Sequence, residues 1–136
     1  MKNIKIALMA CYAIQLIYIP LILYMVIAKN IAFGSAIVAF INIFVCSVIF
    51  VNIFSRNLKE VNLEIYEEVS SEKTYRDFGY TNNAKSAWFA FSASNVGDSD
   101  EVKQVKKCLR LYYLLLLGVF LFFVFALVLS MFLYYV

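Results

Sequence analysis

Few residues in this chain are of types that could do chemistry, and they are scattered. Among 136 residues there is no histidine, which removes the commonest general base and metal ligand. Three cysteines, Cys11, Cys46 and Cys108, are odd in number and widely separated, unlike a disulfide framework or a zinc motif. Cys11 and Cys46 read as small packing residues. Cys108 stands in a basic stretch of the kind that lowers a thiol pKa or suits S-acylation. Asp98, Asp100 and Glu101 could suggest a cation site, but acids at this spacing ahead of an apolar periodic run are ordinary helix-start residues. There is no nucleophile elbow, no phosphate-binding glycine loop and no cysteine pair at metal spacing. The sequence therefore argues against an enzyme, and no cofactor or metal is expected.

Amides, hydroxyls and small residues remain, set in long apolar sequence. Gln15 lies in the first such run, Ser35, Asn42, Ser47 and Asn52 in the second, and Ser130 in the third. Gln15 and Asn42 are costly in lipid and need partners. Ala32, Ser35, Ala39, Asn42 and Cys46 recur at spacings of 3, 4, 3 and 4, which makes one small-residue seam on a helix. Its occupant is either the first apolar helix or a second copy of the chain. An asparagine-lined pore is the sharper alternative, although one seam with one or two polar steps makes a poor water path. On the third run Gly118, Ala126 and Ser130 are read as the side that meets the other two, while its many phenylalanines face lipid or another protein.

The elements that position these residues follow from charge spacing. Apolar residues make up 64% of the chain, charged ones 15%, and mean hydropathy is +0.81. Residues 6–28, 31–54 and 111–136 contain no charge at all. Each run exceeds the roughly 20 residues that cross a bilayer as a helix. The predicted fold is an all-α integral membrane protein with three transmembrane helices. Its parts are a hairpin over 1–54, a loop over 55–110 and a third span over 111–136. The first run follows Lys2 and Lys5 as a signal peptide would, but it is too long for one, so it is expected to be retained. Pro20 should kink or loosen it.

Short basic flanks stay in the cytoplasm. Lys2, Lys5 and the nine basic residues of 55–110 face only Lys29 at the first turn. The N-terminus and the loop are therefore expected inside and the C-terminus outside. A net charge of +3 with no basic tail disfavours nucleic acid. An Ile-, Asn-, Lys- and Tyr-rich usage fits an AT-rich bacterial genome or an organelle-encoded subunit, and the cytoplasmic membrane of a bacterium is the expected location.

The loop has structure of its own. Phe54, Leu58, Val61, Ile65 and Val69 continue a helical stripe, predicting that the second helix runs on to about Ser70. Val102, Val105, Leu109 and Tyr112 do the same for a third helix starting near Ser99. The first extension is acidic, with Glu60, Glu64, Glu67, Glu68 and Glu72; the second is basic, with Lys103, Lys106, Lys107 and Arg110. If Arg56 and Arg110 share a level, Glu60 meets Lys106 and Lys107, and Glu64 meets Lys103, in an antiparallel stalk. Arg56, Lys103, Lys106, Lys107 and Arg110 serve as stalk or lipid-headgroup charges. Between the arms, Tyr75, Phe78, Tyr80, Trp88, Phe89 and Phe91 form an aromatic cap, read as a plug, a partner surface or a headgroup contact.

Two functions follow from different classes. The first is a non-catalytic assembly or regulatory subunit, acting in a homo-oligomer or a larger membrane complex. The second is a membrane immunity or defence protein that blocks a pore-forming toxin or itself forms a pore. Only topology speaks for the second.

Overall fold

A computed structural model of the chain describes residues 2–29, 31–70, 89–91 and 99–135. Helix α1 covers Lys2–Leu23 and continues as a wide π-turn over Tyr24–Ala28. Helix α2 is Ala32–Val61, α3 is Leu63–Ser70 and α4 is Asp100–Tyr135. Among the described residues there is no strand, and three helices are long and apolar enough to cross a membrane.

Pro20 lies inside α1, where it cannot donate to the preceding turn. The wide turns follow one turn later, where Lys29 N donates to the Tyr24 carbonyl at 3.2 Å and Ile31 N to that of Met25 at 2.9 Å. The chain then reverses. Gly34 sits at this turn with no room for a side chain, since an added Cβ would stand 2.8 Å from Ile31 Cγ2 and 3.0 Å from Met25 Cε.

Three side-chain contacts set the register of α1 and α4, which run parallel. Tyr12 Oη donates to the Leu111 carbonyl at 3.0 Å, Tyr18 meets Phe122 edge to face at 6.3 Å, and Tyr134 Oη bonds the Ile27 carbonyl. Helix α2 runs antiparallel to both. Ser47 Oγ lies 2.9 Å from Tyr112 Oη, and the Phe50 ring stacks on that of Tyr112 with centroids 4.2 Å apart. Ile4, Cys11, Ile22, Phe50, Phe54, Leu58, Val105 and Ala126 are fully buried between the three helices. The opposite faces carry bare apolar side chains, among them Phe33 at 81% and Leu16 at 78% exposed, as lipid-facing surfaces do.

The continuous second helix expected to about Ser70 is interrupted at Asn62. Its backbone is extended there, with φ −153° and ψ 101°, and its Oδ1 accepts the Ile65 amide at 3.1 Å. A side chain that caps a new helix offers the backbone an alternative to continuing the old one. Tyr66, not Ile65, becomes the buried residue of α3, at 3% exposure, with Lys59 Nζ 5.9 Å from its ring centroid. At the other arm Ser99 is the cap: its Oγ accepts the Val102 amide at 3.3 Å.

The two arms do not come together as expected: among the described residues α3 approaches the backbone of α2 but not that of α4. The cause is register. Tyr112 sits opposite Ser47 and Phe50, so Arg110 lies two residues from that level while Arg56 lies six to nine beyond it. At about 1.5 Å per residue the two arginines are staggered by roughly 6 to 10 Å. The premise that they share a level fails.

Among the described residues two buried hydroxyls, those of Tyr18 and Ser55, are left over. Tyr18 is 3% exposed and its hydroxyl has no hydrogen-bond partner. Such an orphan costs on the order of 1 to 3 kcal/mol. Tyr18→Phe keeps the ring contact with Phe122 and removes the orphan, so reversible unfolding in detergent is expected to show a gain of about 1 kcal/mol. A loss would mean the hydroxyl does have a partner.

Candidate functional site

The polar residues of the spans come together where α1 crosses α2. Gln15 and Asn42 exchange amide hydrogen bonds: Asn42 Nδ2 donates to Gln15 Oε1 at 3.0 Å and Gln15 Nε2 to Asn42 Oδ1 at 3.2 Å. Gln15 Nε2 also reaches back one helical turn to the Cys11 carbonyl at 3.0 Å. Its two protons are then spent, and the Cys46 sulfur at 3.6 Å shares one of them. Cys46 Sγ lies 3.7 Å from Asn42 Oδ1, and Cys11 Sγ donates to the Cys46 carbonyl at 3.6 Å. Gln15 and Asn42 are 7% and 6% exposed, Cys11 and Cys46 0% and 1%.

This cluster closes on itself. Amides face amides, sulfurs sit against a carbonyl and an amide, and no ionisable carboxylate or amine is present. Chemically it is a clamp that satisfies two expensive polar groups in an apolar surrounding.

The sequence-predicted seam divides. Ser35, Ala39, Asn42 and Cys46 are buried, whereas Ala32 is exposed at the start of α2, its carbonyl accepting from Ser35 Oγ at 2.6 Å. On α4, Ala126 and Ser130 are buried at 0% and 4%. Gly118 is exposed, and a Cβ added to it would meet nothing within 4 Å. The expected small side is therefore corrected. At 100° per residue Gly118 stands about a quarter turn off the line through Ala126 and Ser130, and Tyr112, Leu115 and Val119 occupy the buried face instead. Gly118→Ala should change stability by less than about 1 kcal/mol, in the favourable direction expected from helix propensity. A marked loss in detergent unfolding would place a partner against that position.

Tyr112 continues the stripe of Val102, Val105 and Leu109, all of them buried. Adjacent residues on a helix cannot both face the interface, and Tyr112, 2% exposed, is core while Tyr113 is half-buried.

A second cluster forms on α4. Lys106, 3% exposed, holds its ammonium 4.9 Å from the Phe89 ring centroid. Arg110 Nε donates to the Ala90 carbonyl, and Phe91 packs against Tyr113 with centroids 6.2 Å apart. Phe89 is half-buried, Ala90 buried and Phe91 exposed. Of the stalk charges, Arg56, Lys103 and Lys107 are exposed and Arg110 is half-buried. Tyr75, Phe78, Tyr80 and Trp88 lie outside the described residues.

Cys108, just before the charge-free run, is 6% exposed. Burial pushes its thiol up from the ordinary value, against the pull of Lys5 and Lys107, opposite to the lowering expected from its basic neighbours. Burial also hides it from acylation.

Cys11, Phe50 and Ala90 are the positions that sequence reasoning undervalued. Cys11 lies one helical turn before Gln15, Phe50 one turn beyond Cys46, and Ala90 is a small residue between two aromatics that lets a backbone approach; only the first two carry a periodic signal.

The sulfur positions make a direct test of register. Mild oxidation with iodine should join Cys11 to Cys46 within one chain, read as a loss of two hydrogens in the intact mass, with Cys108 still free. Cys11→Ser should abolish it. Disulfide-linked dimers through Cys11 would show the seam to lie between copies.

The fold and cluster define a three-helix bundle of membrane-spanning length with an amide clamp at its centre. No protein-family model, no curated protein and no solved structure matches the chain.

Proposed function

We propose that the chain is a non-catalytic integral membrane protein that acts as an assembly or regulatory subunit. Its N-terminus and 55–110 segment face the cytoplasm of a bacterium and its C-terminus faces outward, as the distribution of lysine and arginine favours. The observation that carries this reading is the closed clamp: Gln15 and Asn42 spend their amides on each other at 3.0 and 3.2 Å. A transporter or proton relay keeps ionisable groups facing a cavity, and the charge-free runs offer none. The spans serve to hold a bundle, and what the bundle presents is surface.

On the cytoplasmic side that surface includes α3, whose Glu64, Glu67 and Glu68 are exposed. The antiparallel stalk and its aromatic cap belong to this proposal as the arrangement adopted when a partner engages the two arms, bringing the acidic helix towards the basic start of α4.

Purification from the native host in mild detergent tests the reading, with protein mass and co-purifying chains measured together. A stoichiometric membrane partner or a defined oligomer is expected. Recovery as a lone monomer, under conditions that leave other membrane complexes intact, overturns it.

A further inference from the structure

Residues 89–91 meet α4 at a place their sequence position does not foretell. Phe89 lies under Lys106, the Ala90 carbonyl takes the Arg110 Nε proton, and Phe91 packs on Tyr113. Successive residues thus touch α4 at 106, 110 and 113, so the segment climbs the helix towards the span. Arg110 is the last charge before the charge-free run, and Tyr113 is already inside it.

Phe91 is therefore carried to the level of the span's first turn, with 58% of its surface uncovered. An aromatic ring at that level is in the zone where such rings collect. Backbone outside a long helix is tolerated there when protein holds its polar groups, and the wholly buried Ala90 passes its carbonyl to Arg110. The benefit is mutual, because a cation at the edge of a span needs a partner.

Among the described residues, charge at the same level is of one sign. Lys5 on α1 and Lys107 on α4 are both exposed, and both lie close enough to Cys108 to act on its thiol. The acids nearest along α4, Asp100 and Glu101, lie roughly 9 Å or more further from the span.

We propose that residues 89–91 are an interfacial anchor in the leaflet at this basic end, with Phe91 against phospholipid and Lys5 and Lys107 gathering anionic headgroups. The occupant is the phospholipid of the bilayer that the three helices cross, and a basic residue near such a surface is worth about fivefold in preference for anionic lipid. This rests on membrane insertion and not on the subunit reading, so either can fail alone.

The test uses the full chain reconstituted in vesicles of phosphatidylcholine with and without phosphatidylglycerol. Trp88→Phe together with Phe91→Trp leaves one tryptophan, at position 91. Phospholipid brominated high on its acyl chains should quench that fluorescence strongly, while aqueous iodide should quench it severalfold less than it quenches free tryptophan. Brominated phosphatidylglycerol should quench more effectively than brominated phosphatidylcholine, and Lys5→Gln with Lys107→Gln should remove most of that difference. Full iodide access without lipid quenching overturns the anchor by placing the segment in water. Protection from both quenchers overturns it in favour of a protein cover, a second copy or a partner. Equal quenching by the two lipids overturns the headgroup assignment. Should the double variant fail to insert, the same quenching is measured on the native Trp88, three residues before Phe91, in the unaltered chain.

Discussion

Phe50→Ala is expected to cost about 3 kcal/mol, the largest loss of any single truncation in the spans. Phe50 is fully buried, stacked on Tyr112 at 4.2 Å with planes 11° apart and on Phe54 at 6.1 Å. Transfer from water contributes little here, because the lipid around a membrane helix is as apolar as its core. The cost comes from the cavity and the lost stack. About 100 Å³ left unfilled at roughly 24 cal/mol per Å³ gives about 2.4 kcal/mol, and the aromatic pair adds about 0.5 to 1.5 kcal/mol. Phe44→Ala is the control: Phe44 is 59% exposed and faces lipid folded or unfolded, so its truncation should stay within about 0.5 kcal/mol. Reversible unfolding in mixed micelles measures both. Equal effects would mean that the α2–α4 contact does not hold the bundle.

Asn42→Leu should cost about 2 kcal/mol, because it strands the Gln15 Oε1 acceptor in an apolar interior. Gln15→Leu should cost a similar amount, since Asn42 keeps only the weak thiol of Cys46. The double substitution is the informative one. With both amides gone nothing is stranded, and the pair should be less damaging than the two singles added, by about 0.6 to 1.7 kcal/mol of coupling. Strict additivity would show that the amides do not face each other within one chain. Retained bundle stability in the double variant would also show that the clamp chiefly enforces register, as buried polar residues do in coiled coils.

Much of the bundle is legible without coordinates, for reasons that can be traced to residues. The three charge-free runs are visible because burying a charge in lipid costs more than a helix can return. The buried positions Ser35, Ala39, Asn42 and Cys46 show themselves through a 3–4 repeat, and the need of Gln15 and Asn42 for partners follows from polarity alone. The Ser99 start is visible in the same way, because a cap is local chemistry. Gly118 misled for the opposite reason: small size marks a residue that permits contact, but its angle on the helix decides whether contact occurs. Asn62 is hidden in the sequence, because a cap inside an apolar stripe looks like one more polar residue until its side chain turns back on the backbone.

Composition and charge spacing alone dictate three spans, a hairpin and a polar pair in need of satisfaction, since all of these depend on the cost of exposing one residue type to one solvent. Whether the seam is filled by α1 or by a second copy, how far Arg56 stands from Arg110, and where Phe91 comes to rest were decided by tertiary packing. Those depend on relative register, and in a bundle register is fixed by a handful of contacts such as Ser47 with Tyr112, Phe50 with Tyr112 and Gln15 with Asn42. Each joins residues from different helices, so no window of sequence contains it.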